Sequence, residues 1–381
     1  MKIVISIDSF KDSISSFEAG HALQEAIKQQ FPDDIVKVFP LADGGEGTVT
    51  AMTQGLGGKI VPVEVMGPLG EAVSSRYGYL PDNEMAIIEM ADSSGLPMVP
   101  VNRRNPMDTT TYGLGQLIAK AMDNGCKRFI IGIGGSATND CGLGMLTALG
   151  YDFYKADGTK AGIFGKDLAD IASIDTSHVN SKLKNCVFQI ACDVNNPLCG
   201  LNGCSYIYGP QKGATPQIVT TMDEYISDFA QVAEKAMGRK GRDMAGAGAA
   251  GGLGFAFHVF INGNLTPGVE LILGTIGMEK ELIDADVLIT GEGRMDKQTA
   301  MGKAPAGVAQ LAKKCNPDCV TVALCGCATD EAYFVNEHGI DGYFPILQEP
   351  MTAQQAMDKD KSKENLGLTV RQVMNLIHRM K

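Results

Sequence analysis

The sequence predicts an α/β protein with two domains, a discontinuous parallel-sheet domain and an inserted domain built on a mixed sheet. Apolar runs alternate with helical patterns near both chain ends. Strands joined by turn signals fill the stretch after residue 59. The 46 glycines gather at the ends of apolar runs, as tight turns require. We expect residues 1–62 and 262–381 to form one domain and 63–261 the other, with the active site in the cleft between them.

The first elements follow the pattern of a doubly wound parallel sheet. Residues 2–7 form a short apolar run that is typical of a buried strand. A helix over about 16–29 has apolar residues at helical spacing and ends before a proline. A second strand at 35–39 leads through a glycine turn into a helix at Thr48.

The middle of the chain has a different pattern, with strands that are close enough to form hairpins. They lie at 59–66, 75–80 and 85–90, and they predict a mixed or antiparallel sheet. The remaining predicted elements are a strand and helix within 128–149, strands at 151–154, 186–192, 205–208, 287–290, 320–324 and 343–346, and helices at 217–236, 304–314 and 368–379.

Composition excludes several classes of function. The net charge is −11 and no cluster of lysine and arginine is present, so a nucleic-acid partner is not expected. No apolar run reaches the roughly 20 residues that span a bilayer, and no secretory signal precedes the first strand, so we expect a cytoplasmic protein with no membrane partner. The ten cysteines lack the paired spacing of zinc ribbons, which favours reduced structural thiols.

A glycine-rich turn between a strand and a helix dominates the centre of the chain. The strand ends at Gly132, and polar residues suited to helix N-caps follow. Backbone N–H groups and a helix N-terminus at such a turn suit an anion, and phosphate above all. The residues that would bind it are Gly134, Gly135, Ser136, Thr138 and Asn139. No Gly-Lys-Ser/Thr closes the turn, so it is not a Walker A loop, and a purely structural turn stays an alternative.

Charged residues follow the first strand as well. Asp8, Ser9 and Lys11 lie just beyond residues 2–7, where the carboxyl edge of an open α/β sheet binds ligands. Lys11 could neutralise a phosphate or carboxylate, and Asp8 could hold it or bind the substrate. The alternative is that Asp8 and Ser9 end the strand and cap the helix.

Two carboxylates flank a pair of glycines after the second predicted strand. Asp43 and Glu46 enclose Gly44 and Gly45. Carboxylate oxygens beside exposed backbone N–H groups suit a Mg²⁺–phosphate assembly. Acids in the first turn of a helix give the alternative, structural interpretation.

A similar design recurs late in the chain. The predicted strand 287–290 is followed by a turn of the same type, Gly291-Glu292-Gly293-Arg294, and then by Asp296 and Lys303. Arg294 and Lys303 could carry positive charge toward a transferring phosphoryl group.

Asp193 follows the apolar run 187–191 and is a candidate general base or substrate anchor. A strand-end aspartate that caps its own turn is the alternative. Residues 246–251 match the dinucleotide pattern G-x-G-x-x-G, but no strand precedes them and no acidic residue follows at the right distance. We expect these glycines to allow close packing at the start of a helix or close approach of backbone to a ligand.

The motifs together resemble one known family. They are Asp8-Ser9-Phe10-Lys11, PLADGGEGT (40–48), GPLG (67–70), GIGGSATND (132–140), ACDVNNPL (191–198), GPQKGA (209–214), AGAAGG (247–252), ITGEGRMDKQT (289–299) and GKAPAGVA (302–309). In this order they resemble the bacterial glycerate kinases over nearly the whole chain. The resemblance implies a flavodoxin-like domain with an inserted mixed-sheet domain. It also implies ATP-dependent phosphorylation of D-glycerate at the 2-hydroxyl.

The resulting hypothesis gives each candidate a role. Asp193 would orient or deprotonate the hydroxyl, and Lys11, Arg294 and Lys303 would balance charge. Mg²⁺ would bridge the ATP phosphates, near Asp43, Glu46 or Asp296. The turns 134–139 and 291–293 would donate N–H groups to phosphate or carboxylate.

Departures and alternatives remain. The sequence departs from the family pattern at Ile7, where proline is common, and at Asp12 and Cys141, where glycine is common. A glycerate 3-kinase, a kinase of another small hydroxy acid and a non-catalytic sensor of a small acid stay open, and the sequence leaves the oligomeric state open.

Overall fold

The computed structural model describes residues 1–42, 44–45 and 47–380. Its strands are β1 (Lys2–Ile5), β2 (Ile35–Val38), β3 (Lys59–Met66), β4 (Ala72–Leu80), β5 (Met85–Glu89), β6 (Arg128–Gly132), β7 (Asp152–Lys155), β8 (Ile171–Asp175), β9 (Val187–Ala191), β10 (Asn264–Thr266), β11 (Val287–Met295), β12 (Val320–Ala328) and β13 (Gly342–Pro345). Its α-helices are α1 (Ser16–Gln30), α2 (Thr48–Gly55), α3 (Ala91–Ser94), α4 (Tyr112–Asp123), α5 (Leu143–Ala148), α6 (Cys204–Tyr208), α7 (Pro216–Met237), α8 (Ala249–Ile261), α9 (Gly268–Thr275), α10 (Met278–Leu282), α11 (Lys297–Ala300), α12 (Ala304–Cys315), α13 (Ala353–Ala356) and α14 (Lys359–Met380). Within these described residues, no helix combines the length and apolar character that crossing a membrane requires.

The chain divides into two compact units. Unit 1 comprises Met1–Asp43, Thr50–Leu56 and Val269–Lys381, and unit 2 comprises Gly44–Val49 and Gly57–Gly268. The domain boundaries predicted from the sequence lie after residues 62 and 261, and the main divisions between the two units lie after residues 56 and 268. The predicted cleft between the domains stays a prediction.

Unit 1 contains a fully parallel sheet with strand order β2-β1-β11-β12-β13. This is the flavodoxin-like order 2-1-3-4-5, in which the first strand lies inside the sheet and later strands are added on both sides of it. Successive residues of β1 point to opposite faces, since Ile3 and Ile5 pack with α1 and α14 while Val4 packs with α12. Both faces of the sheet are therefore covered by helices, as a parallel sheet requires.

Unit 2 contains a mixed six-stranded sheet with order β10-β9-β6-β5-β4-β3. The pairs β10–β9, β9–β6 and β6–β5 are parallel, whereas β5–β4 and β4–β3 are antiparallel. Phe129 and Phe188 stack in its core with ring centroids 4.7 Å apart. The hairpin-like stretch after residue 59 supplies the antiparallel strands, which confirms the predicted α/β class with one parallel and one mixed sheet.

Two element predictions are wrong. Residues 205–208 were expected to form a strand because Ser-Tyr-Ile-Tyr has high β propensity, but they lie in helix α6, which packs against α7 and α8. Here tertiary packing outweighs local propensity. The strand predicted to end at Thr290 continues to Met295 because β12 pairs with it over that whole length.

Candidate active site

The last residues of four parallel strands form one row at the carboxyl edge of the unit 2 sheet. Glu89 of β5 lies opposite Gly132 of β6, Gly132 lies opposite Ala191 of β9, and Ala191 lies opposite Thr266 of β10. Segments that leave these strands must start side by side. The carboxyl edge of a parallel sheet is where α/β folds place their ligands, so this row sets the position of the site residues in unit 2.

The loop that follows β6 contains backbone N–H groups that no described residue accepts from. We call residues 134–139 the GGSATN loop. The N–H groups of Gly134, Gly135, Thr138 and Asn139 have no hydrogen-bond acceptor within the part of the chain that the structure describes. Thr138 and Asn139 are 0% and 1% exposed. Because buried backbone N–H groups are nearly always paired in proteins, these donors indicate a place for a polar ligand.

Two side chains of the same loop also have polar atoms that form no hydrogen bond with the described residues. Thr138 Oγ1 and Asn139 Oδ1 are buried and make no hydrogen bond to the described residues. Asn139 is fixed at its other end, since its Nδ2 donates to Ser205 Oγ at 2.9 Å. The GGSATN loop thus holds several unsatisfied polar atoms in a fixed arrangement, and the predicted anion-binding residues Gly134, Gly135, Ser136, Thr138 and Asn139 lie together in it.

A buried carboxylate fixes the exit of this loop. Asp140 accepts hydrogen bonds from Thr111 N at 2.8 Å, Thr111 Oγ1 at 2.7 Å, Gly144 N at 3.2 Å and Gly142 N at 3.3 Å. Burial raises the pKa of Asp140, and these four donors oppose that rise. Asp140 therefore acts as an internal anchor that joins the loop to the start of α5.

Glycines from another segment allow close packing against the loop. A Cβ added at Gly251 would lie 2.1 Å from the carbonyl oxygen of Thr138, and one at Gly252 would lie 2.8 Å from Cys141 Sγ. Gly251 is the last residue of the G-x-G-x-x-G stretch and Gly252 follows it; they have φ of 69° and 88° at the start of α8. The prediction that this stretch serves close packing at a helix start is confirmed.

A buried lysine lies on the same loop. Lys212 Nζ donates to Ser136 Oγ at 2.7 Å and to the carbonyl oxygen of Thr138 at 2.6 Å. Its residue is 2% exposed. Burial lowers the pKa of Lys212 to about 8.

The glycine pair after β2 also lies at the unit 2 edge. A Cβ on Gly44 would lie 2.6 Å from Ala191 Cβ, and a Cβ on Gly132 would lie 2.1 Å from the Gly44 carbonyl oxygen. Gly44, with Gly45 next to it in the chain, is therefore close to both β6 and β9. The predicted metal ligands Asp43 and Glu46 lie outside the described residues.

Glu89 holds the backbone that follows these glycines. Its carboxylate accepts hydrogen bonds from Val49 N at 2.7 Å and from Gly47 N at 3.3 Å. A carboxylate at the first turn of helix α2 complements the unpaired N–H groups and the helix dipole there. Burial raises the pKa of Glu89 to about 7, although these two hydrogen bonds act in the opposite direction.

Asp193 is exposed and lies two residues beyond β9. Its Oδ1 accepts a hydrogen bond from the N–H of Gly268, the first residue of α9, at 2.8 Å. This contact orients the carboxylate at the carboxyl edge. A role as general base stays a prediction.

At the edge of unit 1, the predicted turn at residues 291–293 is wrong. These residues are inside β11, where Gly291 lies opposite Leu324 and Glu292 opposite Cys325. Gly291 has φ of 149°, and a Cβ there would lie 1.8 Å from the Leu324 carbonyl oxygen. The stretch is glycine-rich because two strands approach closely, and phosphate binding by Gly291, Glu292 or Gly293 stays a prediction.

Asp8, Ser9 and Lys11 lie beside that strand. Asp8 N donates to the carbonyl oxygen of Gly291 at 2.9 Å, and Asp8 Oδ1 accepts from Ser9 N at 2.7 Å. The N-cap of α1 is Ser15, which forms a capping box with Glu18, so Asp8 and Ser9 do not cap that helix. Lys11 is exposed.

A small cluster of charges completes this edge. Lys303 Nζ lies 3.9 Å from Glu292 Oε2 and 3.7 Å from Asp296 Oδ1. Asp296 caps α11 by accepting from Gln298 N, and Glu292 accepts from Thr299 Oγ1. Arg294 is exposed and shares a strand face with Glu292. The carboxylate oxygens are ligands of the type that Mg²⁺ prefers, so the donor set fits this ion.

Elsewhere among the described residues, Asp152, Asp175 and His178 bring ligand atoms within 4.8 Å of one another. They lie on or beside the separate β7–β8 ladder, which carries none of the predicted site residues. His178 Nδ1 and Lys160 Nζ already contact the Asp152 carboxylate at 2.7 and 2.8 Å. We interpret this group as a surface ion-pair network.

Sequence reasoning missed three residues of the unit 2 edge: Glu89, Asp140 and Lys212. Asp140 and Lys212 belong to motifs that were recognised, GIGGSATND and GPQKGA. Glu89 is an acidic residue next to the end of the predicted strand 85–90, and a carboxylate near a strand end is the signal that could have identified it.

The sequence and structure were compared with known proteins. The model of the glycerate kinase family matches residues 3–378. A protein of Haemophilus influenzae named "Glycerate kinase" is 47% identical over 350 residues, which cover 92% of each chain. A protein of Escherichia coli K12 named "Glycerate 2-kinase" is 44% identical over 356 residues, 93% of each chain. A crystal structure assigned to a glycerate kinase 2 of Salmonella typhimurium LT2 superimposes with a TM-score of 0.91 at 42% identity and covers 100% of this chain and 98% of that one.

Proposed function

The chain belongs to the glycerate kinase family, and we propose that it transfers the γ-phosphoryl group of ATP to the 2-hydroxyl of D-glycerate in the cytoplasm. The observation that carries this proposal is the extent of similarity to the E. coli relative named glycerate 2-kinase, which spans nearly both chains. The products would be ADP and 2-phosphoglycerate.

The GGSATN loop supports an anionic ligand. Its unpaired N–H groups at Gly134, Gly135, Thr138 and Asn139 point to a group with several acceptor oxygens. A phosphate of ATP and the carboxylate of glycerate both have this character. Such fixed donors need no reorganisation when charge develops during transfer, which is how preorganised sites lower a barrier.

Asp193 is proposed as the general base. In the reaction the glycerate oxygen bonds to the γ-phosphorus, the bond from that phosphorus to the bridging oxygen of ADP breaks, and the hydroxyl proton passes to a carboxylate. Asp193 is exposed at the carboxyl edge and oriented by the Gly268 N–H. Both features suit a base that must reach a substrate hydroxyl.

Unit 1 would contribute charge balance. Lys11, Arg294 and Lys303 supply positive charge at or near its carboxyl edge, while Asp296 supplies a carboxylate that fits Mg²⁺. Asp8, Ser9, Gly44, Gly45, Glu292 and the β11 glycines are further proposed contacts for phosphate or substrate. Mg²⁺, when bound, would neutralise phosphate charge.

Phosphoryl transfer tests the proposal directly. The purified protein is incubated with ATP, Mg²⁺ and D-glycerate, and the product is identified by phosphorus NMR. We expect 2-phosphoglycerate from the wild type and a loss of about 10²- to 10⁴-fold in kcat for Asp193→Asn. Asp228→Asn, which changes an exposed aspartate on α7, is the matched control and should keep wild-type activity.

Each of the other outcomes would overturn one part of the proposed function. A 3-phosphoglycerate product would overturn the regiochemistry and retain the kinase. An active Asp193→Asn would exclude Asp193 as the base. No transfer to glycerate, with full transfer to another small hydroxy acid, would overturn the substrate.

A further inference from the structure

Lys212 is a buried cation that forms no salt bridge with a described carboxylate. It ends a short 3₁₀ turn, Pro210–Lys212, that leads into Gly213. No aspartate or glutamate oxygen lies within 4.0 Å of Nζ among the residues that the structure describes. An unpaired buried ammonium is costly to the folded state, so a purely structural role for Lys212 would be unfavourable.

Its two hydrogen bonds determine which way the GGSATN loop presents its polar groups. Ser136 Oγ accepts a hydrogen bond from Lys212, which leaves the hydroxyl hydrogen of Ser136 to donate elsewhere. The Thr138 carbonyl points to Lys212. The C=O and N–H of a trans peptide point in opposite directions, so the N–H of Asn139 points away from the ammonium. Lys212 thereby holds the acceptor atoms of the GGSATN loop toward its own ammonium and leaves the donor groups facing the other way.

We propose that Lys212 is the positioning residue of the GGSATN loop and supplies the positive charge that the loop uses to bind a phosphate or carboxylate group. It acts through Ser136 and Thr138 rather than by touching the ligand. This inference rests on the proposed function in so far as the loop is taken as an anion site. It explains why a cation is buried where no carboxylate of the described residues pairs with it.

The neighbouring ionisable groups determine the pH dependence. Asp140 and Cys204 act on Lys212 electrostatically and favour its charged form, while burial acts more strongly against it. The pKa of Lys212 is lowered to about 8 as a result. A bound anion stabilises the ammonium and moves that pKa upward. Anion affinity should therefore fall as the pH rises above about 8, because the lysine then loses its charge.

The test uses the full-length protein with Lys212→Met, Lys212→Arg and a control, Lys184→Met, at an exposed lysine of unit 2. Calorimetric titrations with inorganic phosphate, ADP and D-glycerate measure affinity from pH 6.5 to 9.5. We expect Lys212→Met to weaken at least one of these ligands by about 10- to 100-fold and to abolish the alkaline decline. Lys212→Arg keeps its charge at every pH used, so it should retain affinity and lack the decline. Lys184→Met should match the wild type.

The outcomes separate the two hypotheses. If Lys212→Met loses affinity for phosphate and ADP, the GGSATN loop binds ATP. If it loses affinity for D-glycerate, the loop binds the acceptor substrate. Either result supports the proposed role of Lys212. Wild-type affinity for all three ligands in Lys212→Met, with its fold verified by circular dichroism, would overturn the proposal, as would an unchanged alkaline decline in that variant. Binding is read without turnover, so a protein that fails to phosphorylate glycerate still decides the role of Lys212. If Lys212→Arg does not fold, the methionine variant alone gives the result.

Discussion

The two carboxyl edges of this protein use similar glycine-rich sequences to build different structures. In unit 2 the chain leaves β6 at Gly132 and forms the GGSATN loop, in which several N–H groups find no acceptor among the described residues. In unit 1 the Gly-Glu-Gly stretch at 291–293 remains in β11, paired to β12. The number of glycines does not distinguish the two sites. What distinguishes them is how far the neighbouring strand extends.

The two edges also differ in the burial and pairing of their charged side chains. Glu89, Asp140 and Lys212 of unit 2 are buried and hydrogen-bond to backbone and hydroxyl groups, with no salt bridge to another described residue. In unit 1 the partly exposed ammonium of Lys303 lies within 4 Å of the carboxylates of both Glu292 and Asp296. Buried single charges have shifted pKa values and respond to pH, whereas partly exposed pairs contribute little to stability.

The largest expected effect tests the strand glycine against the loop glycine. Gly291→Ala should reduce the free energy of unfolding by about 3 kcal/mol or more, because its Cβ would lie 1.8 Å from the Leu324 carbonyl oxygen at a φ of 149°. Gly134→Ala is the matched control, since its Cβ would meet nothing within 4 Å, and it should change stability by less than about 0.5 kcal/mol. Urea unfolding measures both. Equal losses would remove the distinction between packed and open glycines.

A pH series tests the buried carboxylate of Glu89. Its pKa is raised from 4.5 to about 7, so its contribution to stability is fully present below pH 4.5 and is lost as the pH rises through 7. The total change is about 3 kcal/mol. Glu89→Gln has no charge to bury, so its free energy of unfolding should rise relative to wild type between pH 5 and 8.

The matched control for this series is Glu84→Gln, at an exposed glutamate that pairs with Lys127. It should follow the wild-type pH dependence in urea unfolding. Parallel curves for wild type and Glu89→Gln would show that Glu89 does not titrate as proposed.

A smaller effect on stability is expected in the paired cluster of unit 1. Lys303→Met should cost less than about 1 kcal/mol, because the ammonium is partly exposed and its contacts are 3.7 and 3.9 Å. Its KM for ATP should nevertheless rise, since Lys303 is proposed to balance phosphate charge. Lys297→Met, at a more exposed lysine, is the control for steady-state kinetics and thermal unfolding. A large loss of stability with normal KM would make Lys303 a structural residue.

The smallest effect concerns Asp12 and Cys141, two positions at which the resemblance to the family implies glycine. Both have left-handed backbone, with φ of 62° and 48°. Asp12 is exposed, so Asp12→Gly should raise stability by about 0.5 kcal/mol as relief of backbone strain exceeds the added chain entropy. Cys141→Gly should not, because that side chain is fully buried. Thermal unfolding of both variants, with Asp12→Ala as a destabilised control, decides this.

The sequence was sufficient for the periodic parts of the fold. Helix α1 begins at Ser16 as predicted, and β3 occupies the predicted residues 59–66, because hydrophobic spacing and caps are local signals. The end of β11 was not predictable, since it depends on pairing with β12 some 30 residues later. The helix at 204–208 was missed for the same reason: its packing partners lie elsewhere in the chain.

The candidate site also has one part that local sequence predicts and another that depends on distant residues. The GGSATN loop was identified because the break at Gly132 and the polar residues after it are visible in the sequence. Lys212 was not, because burial is a tertiary property and a lysine between glycines suggests an exposed turn. The groups that supply the loop with charge and anchorage come from distant segments, through Lys212 and Thr111.

The division of the chain determines which fragments could contain a complete unit. Residues 44–49 belong to unit 2, although the residues on either side of them belong to unit 1. Glu89 binds the backbone of Gly47 and Val49 in that short segment. A gene fragment encoding only residues 57–268 would contain every strand of the mixed sheet and still lack the donors for a buried carboxylate. Such a fragment is therefore not an intact unit 2, and we expect it to be less stable than the same residues in the whole chain.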